Sequence, residues 1–159
     1  MIKPNSEYKI SALCWLPQGG LLGKTYSIVT ATEVGADLIK AEYFLLVQRP
    51  TAALHHRTCE LNLKNSPPEL ERWDISSALD YAQSHVKNEV ENLLEARAPA
   101  LNREDSAYPQ PEFKPSGDGL TGLWMGGLFH FQIREILRRT ESPKLKRYLE
   151  FVVQSPSLK

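Results

Sequence analysis

The chain has 159 residues, 42% of them apolar and 24% charged, which is the profile of one soluble globular domain and excludes a disordered tail. A chain of this length buries roughly 70% of the surface its unfolded form exposes, so its core needs no disulfide or metal to supplement it. Nineteen basic residues balance nineteen acidic ones, which removes the charge signature of a protein that wraps nucleic acid or an anionic membrane.

From Tyr8 to Leu16 the residues alternate, with Tyr8, Ile10, Ala12, Cys14 and Leu16 on one side, and Lys24 to Thr32 is rich in β-branched and aromatic types. Both segments predict strands. Pro17-Gln18-Gly19-Gly20 and Gly23 between them supply turn chemistry for a hairpin. Ile39, Ala41, Tyr43, Leu45 and Val47 alternate up to Pro50, and Leu54 to Leu63 predicts a fourth strand. Residues 33–48 stay open between strand and helix, because Val34, Leu38, Ala41 and Leu45 also fit a helical stripe.

After Lys64-Asn65-Ser66-Pro67-Pro68 the apolar period changes from two to 3.6. Asp74 is a fitting N-cap, and Ile75, Leu79, Ala82, Val86, Val90 and Leu93 share one side of a long helix within 69–98 that Pro99 stops. Residues 99–119 carry Pro99, Pro109, Pro111 and Pro115 without a period and predict an extended strap. Helical character returns from Leu123 or Gly127 to Arg139. After a turn at Thr140-Glu141, Ser142 caps a last helix with Pro143 at its first position and Leu145, Tyr148, Leu149 and Val152 facing inward. Strands first and helices later predict a single α+β domain over 1–159. It comprises an N-terminal antiparallel sheet, a hairpin or meander of three to four strands, covered on one face by the long central helix and a C-terminal helix pair.

Several motifs come near known chemistry. Gly20-Leu21-Leu22-Gly23-Lys24-Thr25 resembles a phosphate-binding loop in part, but Gln18 stands where the first glycine belongs and strand-forming residues follow. Gly117-Asp118-Gly119-Leu120-Thr121-Gly122 has the letters of a dinucleotide fingerprint, yet a proline-rich strap leads into it instead of a buried strand. What survives is a weak anion loop of Gly117, Gly119 and Gly122 at a helix start. Gly122 and Gly126 bracket an apolar stripe in which Trp124, Met125, Leu128 and Phe129 suit either the core or a self-association surface. His55, His56, His85 and His130 have no metal-ligand spacing, and Tyr81, His85 and Glu89 read as a polar stripe on the long helix, so no metal and no cofactor are expected. Cys14 and Cys59 are expected as free thiols, neither marked as an activated nucleophile. The N-terminus lacks the pattern of a secretory leader, and Leu120 to Phe131 would reach only about 18 Å as a helix; a cytoplasmic location without a membrane span is expected.

Charge is unevenly spread. Glu69 to Asp105 holds nine acidic and four basic residues, whereas Arg134 to Lys159 holds seven basic and three acidic. Arg134, Arg138 and Arg139 complement the C-terminal dipole of their helix, but Lys144, Lys146 and Arg147 lie in the first turns of the next, where the dipole disfavours them and a partner is implied. The first candidate for that partner is the acidic long helix, from the same chain or from a second subunit. The expectation is a small binding or regulatory protein, homodimeric, that presents these six basic residues and the strap to a protein partner. One alternative is a nucleic-acid binder using the same basic helix pair. The other is an enzyme on an anionic small molecule, with His130 as acid or base near the glycine loop and Arg134 one turn beyond it.

Overall fold

A computed structural model describes residues 5–14, 25–48, 52–97, 112–117, 119–121 and 129–154. Among these, five strands form one antiparallel sheet: β1 (Ser6–Cys14), β2 (Thr25–Gly35), β3 (Leu38–Val47), β4 (Ala53–Asn62) and β5 (Glu112–Pro115). Their order across the sheet is β4-β3-β2-β1-β5. The first four are the expected meander. Within residues 33–48 the end of β2 and the whole of β3 resolve as strand, because Gly35 pairs with Leu38 around a two-residue turn and every residue from Ile39 to Val47 then finds a partner on β2.

The strap contains a strand that the sequence does not announce. β5 lies along β1, with Ser11 opposite Pro115 and Cys14 opposite Glu112. Four residues ending in proline show no period of their own, and a proline is tolerated there because β5 is an edge strand.

The helices cover both faces of the sheet, not the single face expected. Helix α1 (Ile75–Arg97) lays Ala78, Ala82, Val86 and Val90 over Val29, Ala31, Ala41 and Leu45. On the other face α2 (His130–Arg139) and α3 (Pro143–Val153) lay Ile133, Ile136, Leu145, Leu149 and Val152 over Ile10, Ile28, Phe44 and Leu46. Adjacent residues therefore go inside together: Ile28 with Val29, and Phe44 with Leu45, are fully buried pairs. A strand covered on both faces reads as a continuous apolar run instead of an alternating one, which is why β3 also fitted a helical stripe.

Local chemistry sets the helix ends. The Asp74 carboxylate accepts the Ser77 backbone amide at 2.7 Å, and that bond is the largest cause holding its carboxyl below the ordinary range. α2 begins at His130 because Phe129 before it has φ 65°, a left-handed conformation through which a helix does not propagate; the expected start at Leu123 or Gly127 lies outside the described residues. Buried Gln132 then ties α2 to the sheet by donating to the carbonyls of Val47 and Ala53. Ser142 caps α3 as expected: its Oγ accepts the Leu145 amide at 3.2 Å, with Pro143 at the first position.

Candidate functional site

The six basic residues of the C-terminal helices divide into two groups. Arg138 and Arg139 both turn back to the single Glu135 carboxylate, at 2.7 and 3.0 Å, so one of their two charges is offset within α2. The Arg138 hydrogen bond is the largest cause of the lowered Glu135 carboxyl. Arg134 is exposed on the same helix. Lys144 crosses to Glu7 of β1 at 2.7 Å, whereas Lys146 and Arg147 are exposed and pair with no carboxylate among the described residues. Lys144, Arg147 and Phe151 fall at i, i+3 and i+7, on one side of α3, and Phe151 is 62% exposed. Beside them runs a groove of about 610 Å³ whose walls include Ser6 and Glu7 from β1 and Lys144, Arg147 and Glu150 from α3.

The acidic long helix is not the partner of these cations within the chain. α1 and the C-terminal helices lie on opposite faces of the sheet, with the whole sheet between them. Lys144 instead finds a carboxylate on β1, 137 residues away in sequence.

In the glycine loop the Gly119 and Leu120 backbone groups are already engaged. Gly119 donates its amide to the Ser116 carbonyl, the Ser116 hydroxyl donates to the Gly119 carbonyl, and the Leu120 amide donates to the Tyr148 hydroxyl at 2.6 Å. Gly117 is exposed in the same turn. Gly122, Trp124, Met125 and Leu128 lie outside the described residues. Phe129 is buried in the chain's own core, edge-on to Tyr26 with ring centroids 5.9 Å apart. His130 is exposed at the first position of α2.

Two titratable clusters had no signal in the sequence. On the α2–α3 side, Glu42 is 3% exposed; its carboxylate accepts the hydroxyls of Thr30 and Thr140 at 3.0 Å each and meets His56 Nε2 at 3.0 Å. The His56 ring lies flat on Phe44, with 4.2 Å between centroids. On the α1 side, a cleft of about 310 Å³ opens between α1 and the β3–β4 edge, where Tyr43, Arg57, Cys59, Tyr81 and His85 converge. Their positions span more than forty residues of sequence, so it takes the register of β3 on β4, Ala41 opposite Cys59 and Tyr43 opposite Arg57, and the packing of α1 over the sheet to bring them together. Cys59 is a free thiol. Tyr81 and His85, expected as a solvated stripe, touch edge to face at 4.6 Å.

No family model, curated protein or solved structure matches the chain. Its chemistry is therefore read from its own geometry. No group of three or more His, Cys, Asp or Glu residues that could hold a metal exists among the described residues, and no helix among them is long and apolar enough to cross a membrane.

Tyr43 gives the cleft a measurable signature. Burial, and next the hydrogen bond its hydroxyl donates to Glu89 at 3.0 Å, push the phenol up to about 12 from an ordinary 10.0. The folded state then holds this proton where the unfolded chain releases it. The stability linked to it is complete below the unfolded value and is lost as the pH rises from about 10 to about 12. Urea denaturation followed across that window is expected to show falling stability, with a shallower slope in Tyr43→Phe; an unchanged slope in the variant contradicts the assignment.

Proposed function

We propose that the protein is a binding or regulatory protein that docks an acidic protein partner on the exposed side of α3, through Lys144, Lys146 and Arg147 together with Phe151. The observation that carries this reading is the pairing of Arg147, which has no carboxylate partner among the described residues, with a highly exposed phenylalanine one turn along the same side. Arginine and aromatic side chains are the enriched anchors of protein interfaces, and an exposed phenyl ring gains most when a partner covers it. Nucleic acid is the weaker reading, because nineteen basic residues are balanced by nineteen acidic ones, Arg138 and Arg139 share the Glu135 carboxylate, and a phosphate backbone offers no apolar surface to cover the exposed Phe151 ring.

The test uses two labelled probes, a twelve-residue peptide of alternating glutamate and leucine and a twenty-base-pair DNA duplex, titrated by fluorescence anisotropy over a salt series. The peptide is expected to bind more tightly, and Arg147→Glu and Phe151→Ser are each expected to weaken it by roughly tenfold. Tighter duplex binding with a steep salt dependence transfers the site to nucleic acid; peptide binding that neither variant changes removes it.

Self-association belongs to the same reading. Phe129 is inside the core, so the proposed contact with a second copy keeps Trp124, Met125 and Leu128, which lie outside the described residues. Sedimentation at micromolar concentration is expected to give a dimer for the wild type and a monomer for Met125→Glu, and a monomeric wild type removes the dimer.

A further inference from the structure

We propose that the cleft between α1 and the β3–β4 edge binds a small aromatic carboxylate. The cleft exists because α1 packs over β1, β2 and β3, while β4 is the edge strand beyond it. Where the helix overhangs that edge the chain places small side chains, Ala41 on β3 and Ala82 on α1, and between them and Cys59 the overhang is not filled. A volume of about 310 Å³ is at the lower end of small-molecule sites and admits a single ring with a short substituent.

The walls specify the occupant's chemistry. Tyr43 and Tyr81 contribute aromatic surface, and the His85 ring against the edge of Tyr81 restrains that wall. Both tyrosines and the two alanine methyl groups favour a flat apolar body. One end of the cleft is cationic: the Arg57 guanidinium lies beside the Tyr43 hydroxyl and has no carboxylate partner among the described residues. The Tyr43 proton is committed to Glu89, so the phenol does not compete as a donor, and the guanidinium has further N–H groups for a carboxylate. A single cation with the Glu89 carboxylate close by suits one negative charge and disfavours a phosphate dianion. A ring bearing one carboxylate meets these demands together.

The test takes benzoate as probe and benzamide as its neutral counterpart, titrated by calorimetry into the full chain. Benzoate is expected to bind with a dissociation constant no weaker than about 1 mM, and benzamide at least roughly tenfold more weakly. Arg57→Gln changes an exposed side chain and is expected to reduce benzoate binding by about tenfold while leaving benzamide unchanged. In a Cys14→Ser background, saturating benzoate is expected to slow alkylation of Cys59 by iodoacetamide. Equal affinity for the two probes, absence of benzoate binding, or full binding by Arg57→Gln overturns the proposal. The peptide surface on α3 lies across the sheet, so its fate in the anisotropy experiment is decided separately.

Discussion

Replacing Gly119 with alanine is expected to destabilise the protein by about 3 kcal/mol, from two additive costs. Gly119 has φ 62°, and a β-carbon there collides with the Tyr148 hydroxyl. The left-handed conformation costs an alanine about 1 kcal/mol, and forcing atoms into a filled space typically costs about 1 to 3 kcal/mol more. Tyr148 has little freedom to retreat, because its hydroxyl accepts the Leu120 amide and its ring packs at 5.6 Å against Tyr8. A double-mutant cycle in urea separates the costs. In a Tyr148→Phe background, which lacks the colliding oxygen, Gly119→Ala is expected to cost about 1 kcal/mol less than in the wild type. Wild-type stability in Gly119→Ala contradicts the close approach, and a cycle without coupling assigns the whole cost to the backbone.

Glu42→Ala is expected to cost about 3 to 4 kcal/mol, because it removes the shared acceptor of a buried network and leaves a cavity behind. Thr30 on β2, His56 on β4 and Thr140 at the joint between α2 and α3 all converge on this one carboxylate. Its loss strands polar groups from three elements at once. Glu42→Gln retains the volume and one acceptor oxygen, and about half the loss is expected. Because Thr140 anchors the helix joint, the damage has a direction: amide exchange at Leu145 and Leu149 is expected to accelerate more than at Val86 and Val90 of α1. Equal acceleration on both faces contradicts the anchoring role, and unchanged stability contradicts the network.

That Lys144, Lys146 and Arg147 need partners was visible from their position in the first turns of α3, since the dipole argument uses only neighbouring residues. Which carboxylate answers Lys144 was not, and Lys146 and Arg147 meet none among the described residues. Glu135 takes Arg138 and Arg139 from one turn away, a spacing the sequence displays, but Glu7 reaches Lys144 only because β1 passes beside the start of α3. The cleft was less visible still. Cys59 and His85 each looked inert alone, and a pocket formed by absent volume at Ala41 and Ala82 leaves no mark on local periodicity.

The order of strands and helices, the change of period after Pro68, the Asp74 and Ser142 caps and the α+β class follow from residues within a turn or two of one another, because backbone preference and side-chain spacing act at that range. The covering of both sheet faces, the recruitment of β5, the burial of Glu42 and the convergence of Tyr43, Arg57 and Tyr81 were settled by the folded chain alone. Each depends on which surface meets which across tens of residues, and that is set by the register of the strands and by where apolar area can be removed from water.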